Sequence, residues 1–177
     1  MPVILSGANP GVRLLDGDTV TAFASVWSVD WSERGAGNAL VLWHDGAVRV
    51  LGADTDLASW LASYFVRHFP EVAGLPWPEP VVERADVSIA LNLTSGLVAR
   101  AGAVEVTMSG VLGHRTFATD DFALDGVPHA LQLLLAPVSD ATITVAGQQL
   151  PGAVEVGGTP DRPSSSAFLA TAEVWSR

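Results

Sequence analysis

Apolar and polar residues alternate along most of the chain, and this alternation predicts β-strands. Between residues 85 and 94, apolar side chains occupy every second position from Val87 to Leu93, and 103–109 shows the same pattern. Such alternation gives a strand one buried and one solvated face, as in antiparallel sheets. The segment 19–29 is apolar on both faces, which is typical of a strand that is buried on both sides.

The clearest pair of neighbouring strands is a hairpin. Two apolar runs, 39–43 and 47–51, flank a turn that contains Asp45 and Gly46, and an Asp-Gly pair in this position is a strong hairpin signal. The segment 128–136 fits a strand, which we favour, or a short helix that begins at its proline. Further strands are predicted at 96–100, 115–124, 141–147, 150–156 and 167–175.

One segment, 54–69, has helical periodicity instead. Its large apolar residues recur at spacings of three and four, which places them on one face: Leu57, Trp60, Leu61, Tyr64, Phe65 and Phe69. Asp54 and Asp56 stand at the start, where a carboxylate can cap the helix and meet the positive end of its dipole. Pro70 ends the helix.

These elements predict a single α+β domain, 1–177, that is mainly antiparallel β. About nine strands need their edges protected, so we expect a curved sheet or barrel with the amphipathic helix 54–69 packed on or in it. The alternative is a two-sheet β sandwich plus the helix. Residues 1–18 are expected to form an arm that ends in a turn, 70–80 a stiff proline-rich connector, and 157–166 a loop.

Composition excludes several classes of function. The net charge is −10 and the nine basic residues, all arginines, form no cluster, so nucleic acid and anionic membrane surfaces are poor partners. Without lysine, the chain has no Schiff-base site, no pyridoxal-phosphate attachment and no P-loop. Without cysteine, it has no thiol nucleophile, thiolate zinc site or disulfide. No cofactor is expected.

The chain is apolar for a soluble protein, with 49% hydrophobic and 16% charged residues and a mean hydropathy of +0.34. Either the core is large, or a second subunit or a ligand covers apolar surface; a homodimer is the simplest such assembly. The start of the sequence lacks the pattern of a signal peptide and no apolar stretch is long enough to span a membrane, so we expect a cytoplasmic protein. Its Arg-only, Ala/Val/Gly-rich usage suggests a bacterial source.

Candidate polar chemistry is sparse. The four histidines are His44, His68, His114 and His129, and no two have the spacing of metal ligands on one strand or helix, so no metal site is expected. Turn or helix-end positions explain each of them. The strongest candidate for a polar cluster combines His44, Asp45 and His114. No catalytic residue can be named from the sequence.

Tryptophan is over-represented, with six among the few aromatic residues. Most of these indoles fit a core, but Trp31, beside a glycine-containing loop, and Trp77, in the proline-rich connector, are candidates for the mouth of a pocket.

Three functional hypotheses follow from these observations. The favoured one is a non-catalytic binding module that holds a small apolar ligand in a β-barrel-like cavity. The second is a homodimeric interaction or structural protein. The third is a small-molecule enzyme that uses His and Asp groups brought together by folding, and a non-enzyme is favoured over it.

Overall fold

The computed structural model describes all residues, Met1–Arg177, and places most of them in strands. The strands are β1 (Val3–Ala8), β2 (Gly11–Asp16), β3 (Thr19–Ser32), β4 (Gly37–His44), β5 (Ala47–Gly52), β6 (Val81–Arg84), β7 (Val87–Asn92), β8 (Gly96–Ala101), β9 (Val104–Val111), β10 (Arg115–Leu124), β11 (Val127–Val145), β12 (Gln148–Gln149), β13 (Val156–Gly158), β14 (Pro163–Ser165) and β15 (Ala167–Ser176). None of the helical segments has the length and apolarity that crossing a bilayer requires.

Thirteen of the strands form one large curved sheet. Its main path runs β6-β5-β4-β3-β1-β15-β11-β9-β8-β7, and all its pairs are antiparallel except β5 with β6. The α+β class and the curved sheet with one helix are therefore confirmed. The barrel is wrong, because the end strands β6 and β7 do not pair. The chain leaves β6 after Arg84 and crosses into another layer, so β7 packs on the sheet instead of closing it.

The central strands of the sheet are buried on both faces. Phe23 and Trp27 of β3 pack against the helix, and we call this face the helix-facing side. Ala24 of β3 and Leu40 of β4 belong to a second core with residues of β7, β8 and β9. The sheet folds over at β11, which pairs first with β10 and β15 and then with β9. This double burial explains the apolar run at 19–29.

The predicted helix is present but changes its winding along its length. It begins as α1 (Thr55–Trp60), widens into a π turn (Leu61–Phe65), and tightens into 3₁₀ turns at Val66–His68 and Pro70–Val72. Its buried residues recur every four positions, at Leu57, Leu61, Phe65 and Phe69. In an α-helix of 3.6 residues per turn, side chains spaced by four residues move gradually around the helix instead of staying on one face. A π turn has more residues per turn, so it brings these side chains back towards the same face.

Some local predictions were wrong. The arm at 1–18 forms β1 and β2, because each pairs with β3 and β15. The predicted strand 150–156 does not form: only Val156 lies in a strand, as the start of β13, and Ala153 makes one isolated bridge to Leu15. The loop 157–166 contains the short β13–β14 hairpin. The segment 128–136 lies in β11, as we favoured, and the Asp45–Gly46 hairpin is confirmed, with positive φ angles at both turn residues.

Removal of the N-terminal cap should destabilise the helix. The Leu57 amide donates a 3.0 Å hydrogen bond to Oδ1 of Asp54, so we expect Asp54→Ala to lower the free energy of unfolding by about 1 kcal/mol in urea titrations. Asp56→Ala is the matched control, since Asp56 lies in the same first turn but makes no capping bond. An equal loss in both variants would mean that the cap bond contributes nothing of its own.

Candidate functional site

An open cleft of about 270 Å³ lies on the helix-facing side of the sheet. Fourteen residues line it, nine of them hydrophobic, and we call it the aromatic cleft for its six rings: Phe23, Phe69, Phe117, Phe122, Phe168 and Trp175. An apolar recess with a few polar groups is the usual form of a small-molecule site.

The β10–β11 hairpin forms one wall of the aromatic cleft. Phe117 of β10 pairs with Leu133 of β11, and Leu131 and Leu135 lie two positions to either side along the same strand. Side chains two apart on a strand share a face, so the three leucines line the cleft together. Phe122 contacts Trp175 edge to face, with ring centroids 5.0 Å apart, and joins the hairpin to β15.

The end of the helix supplies the facing wall. Pro70 interrupts helical bonding, and Phe69 before it adopts an extended conformation. The following 3₁₀ turn brings Glu71 to the cleft beside Phe69. A carboxyl group therefore reaches an otherwise apolar lining directly from the helix terminus.

A β-bulge in β15 places the second carboxyl, that of Glu173, on the helix-facing side. Leu134 pairs with Thr171 and Gln132 with Val174, so two residues of β15 stand opposite one of β11, and Ala172 there has φ = +48°. An extra residue reverses which side chains face inward. Leu169, before the bulge, packs in the core with β7–β9, whereas Glu173 and Trp175 lie on the helix-facing side.

Glu173 is a buried carboxyl with one hydrogen bond. Its side chain is 3% exposed, and Trp175 Nε1 donates to Oε1 at 2.5 Å. No group of the chain donates to Oε2, and Glu173 is one of the residues that line the cleft. Desolvation raises the pKa of Glu173 to about 8; the indole bond lowers this pKa and the charge of Glu71 raises it further. The carboxyl is therefore mostly protonated at neutral pH.

Glu71 shares this environment. Desolvation raises its pKa, while a backbone hydrogen bond and the Arg13 guanidinium oppose the rise. Arg13 lies on β2, and its buried Nε makes no hydrogen bond. At the floor of the cleft, Asn9 donates to Ser25 Oγ at 2.8 Å and to the Val26 carbonyl at 2.9 Å. The Arg13 guanidinium thus offsets the charge of Glu71, and the charge of Glu71 in turn acts on Glu173.

A polar network lies next to the aromatic cleft. His129 is 1% exposed; its Nδ1 is 2.8 Å from the Val127 carbonyl and its Nε2 is 2.8 Å from the Tyr64 hydroxyl. A carbonyl only accepts, so Nδ1 carries the proton and Nε2 accepts from Tyr64. Arg177 donates to the same hydroxyl at 2.9 Å and lies 3.7 Å from Glu33. This network ties the helix to the β10–β11 hairpin.

The residues predicted as a site lie elsewhere, and none of them lines the aromatic cleft. His44 ends β4 beside the turn residue Asp45, and no hydrogen bond joins either of them to His114. The exposed His114 donates from Nε2 to the Leu93 carbonyl at 2.7 Å. Trp31 is 51% exposed at the end of β3. Trp77 packs on the edge of the helix-facing core.

Sequence reasoning missed Glu71, Glu173 and Trp175 as site residues. The available signal was a charge inside the apolar strand 167–176, where only Glu173 interrupts small and hydrophobic residues. The bulge at Ala172 has no comparable signal, because alanine seldom adopts a positive φ. No group of three or more His, Asp or Glu side chains is arranged to hold a metal ion.

Comparison with known proteins supplies no function. The chain matches no family model, and it has no significant match among the curated proteins or the solved structures. The geometry of the aromatic cleft is therefore the basis for a functional proposal.

The buried carboxyl should make stability depend on pH. Because the pKa of Glu173 is about 8 in the folded state and ordinary in the unfolded chain, the unfolded state loses its proton first as pH rises. The free energy of unfolding should therefore fall between about pH 5 and pH 8, by roughly 2 to 5 kcal/mol. Glu71 contributes with the same sign.

Glu173→Gln should remove most of this dependence, since glutamine can still accept from Trp175. In urea titrations the free energy of unfolding of the variant should equal that of the wild type at pH 5 and exceed it at pH 8.5. Glu155→Gln, at an exposed carboxyl, is the control and should follow the wild type throughout. If the free energy of unfolding of Glu173→Gln lies below that of the wild type by the same amount at pH 5 and pH 8.5, Glu173 is not protonated in the folded protein.

Proposed function

We propose that the protein is a non-catalytic binding module that holds a small, mainly apolar molecule in the aromatic cleft. The observation that carries this proposal is the cleft itself, where six aromatic rings surround open space instead of closing over it. Its volume of about 270 Å³ suits a ligand of about ten non-hydrogen atoms, at about 25 to 30 Å³ each. The site differs from the barrel interior expected from the sequence, because it lies between the β10–β11 hairpin and the end of the helix.

The homodimer is a second candidate, and the β6 edge favours it. β6 is a terminal strand of the sheet, and its Val81 and Val82 are 60% and 45% exposed. An open edge with apolar side chains is a template for pairing with another chain. An enzyme has less support: none of the four histidines forms an ion pair with a carboxylate, and the buried His129 is bonded to a hydroxyl and a carbonyl.

Binding can be tested with propylbenzene, a neutral ligand of suitable size. We expect saturable shifts of the Leu131 and Leu133 methyl signals in NMR titrations. The Kd should be roughly 0.1 to 1 mM, as expected for about nine atoms that contribute about 0.5 kcal/mol each.

Two matched variants locate the binding site. Leu133→Phe should fill the cleft and weaken propylbenzene binding at least about tenfold, because a larger side chain removes space for the ligand. Leu91→Phe makes the same change at a half-buried leucine of β7, against the other core, and should bind normally. Shifts that do not saturate, or equal weakening in both variants, would contradict the proposed site.

The dimer is tested separately by the mass in solution. We expect light scattering at micromolar concentration to give twice the chain mass, and Val82→Arg to give a single chain, because a charge on an open edge opposes strand pairing. Ser164→Arg, on the separate β13–β14 hairpin, is the control and should stay dimeric. A wild-type protein with the mass of one chain would exclude this candidate.

A further inference from the structure

The unpartnered oxygen of Glu173 restricts the chemistry of the ligand. Oε1 accepts from Trp175, whereas Oε2 receives no donor from the chain, and Glu173 is one of the residues that line the aromatic cleft. When the carboxyl is ionised, Oε2 is an acceptor without a partner in a mainly apolar lining, so a ligand that supplies a donor there and stabilises the ionised form gains affinity that a hydrocarbon does not. A ligand with a hydrogen-bond donor at one end, able to stabilise the ionised carboxylate, therefore fits this point better than a hydrocarbon.

The surrounding charges favour a cation over a neutral donor or an anion. Two carboxyls, Glu71 and Glu173, line the cleft, and Arg13 offsets the charge of Glu71 only. The chain as a whole carries a charge of −10, which repels anionic ligands. Aromatic rings attract a cation over their negative faces, and six rings line the cleft.

We propose that the ligand of the aromatic cleft is a small organic amine, whose ammonium group meets Glu71 and Glu173 while its apolar body lies against the aromatic rings. The proposal rests on the proposed binding function and adds a chemical class to it. Charge-assisted hydrogen bonds to a carboxylate are stronger than neutral ones, and a desolvated site strengthens them further.

Amine binding should release a proton. The ammonium group favours the ionised form of Glu173, so the carboxyl that is protonated in the free protein loses its proton to solvent when the ion pair forms. The charged group that acts on Glu173 is Glu71 from the 3₁₀ turn, and Arg13 of β2 acts on Glu71. His129 packs on Trp175 with ring centroids 6.4 Å apart. Affinity for an amine should therefore rise with pH up to about 8.

The test compares three ligands of similar shape by titration calorimetry and NMR: 2-phenylethylamine, propylbenzene and phenylacetate. At pH 8 the amine should bind about tenfold to a hundredfold more tightly than propylbenzene, and phenylacetate should bind most weakly. Between pH 8 and pH 6 the amine should lose at least about tenfold in affinity, with proton release visible as a heat that depends on the buffer. Propylbenzene should bind equally at both pH values.

Variants separate this inference from the proposed function. In Glu173→Gln the amine should bind no more tightly than propylbenzene binds to the same variant, whereas Glu155→Gln should keep the preference for the amine. Glu71→Gln supplies a second test, independent of how Glu173→Gln folds, and should reduce the preference several-fold. If propylbenzene binds but the amine binds no better, or phenylacetate binds best, the amine proposal is overturned and the binding function stands. If none of the three ligands binds, both the amine proposal and the proposed binding function are refuted.

Discussion

The packing of two helical phenylalanines on two tryptophans is the contact on which the rest of the structure depends. The ring centroid of Phe65 lies 5.3 Å from that of Trp27 and 5.1 Å from that of Trp175. The ring centroid of Phe69 lies about 6 Å from those of both indoles. The two tryptophans belong to β3 and β15, which flank β1, so this contact fastens the helix across three strands. Each pair adds about 0.5 to 1.5 kcal/mol beyond the buried area.

The same contact creates the cleft. Phe69 and Trp175 are stacked with their planes 11° apart, and both also line the open space beside them. The helix must therefore be seated before the cleft has a wall, and the π turn keeps Phe65 and Phe69 aligned for that seating. The winding of the segment 54–69 therefore determines both its packing in the core and the geometry of the cleft.

Periodicity was sufficient to predict most elements of the fold, but not whether the sheet closes into a barrel. The helix with its Asp54 cap, the hairpin around Asp45 and Gly46, and the alternating strands all follow from short-range signals and are present. The barrel failed because closure depends on whether β6 and β7 meet, and no local pattern encodes this. The partners of residues 1–18 are likewise distant in sequence.

The candidate site was beyond sequence reasoning for a specific physical reason. Alternation along 167–176 places Glu173 and Trp175 on the same face as Leu169, and the bulge at Ala172 transfers them to the opposite face. The predicted cluster of His44, Asp45 and His114 does not form, because His44 and Asp45 lie at the β4–β5 turn while His114 bonds to the Leu93 carbonyl. The informative polar group was the one inside an apolar strand.

The burial of Glu173 is more easily explained by binding than by folding. A glutamine at this position could accept the same bond from Trp175 without the desolvation that raises the pKa of the acid. What only the acid provides is a charge that appears when a cation arrives, within a wall of aromatic rings. A fold that gives up stability at neutral pH to keep an ionisable group beside an open apolar cleft has the properties of a site poised for a charged ligand.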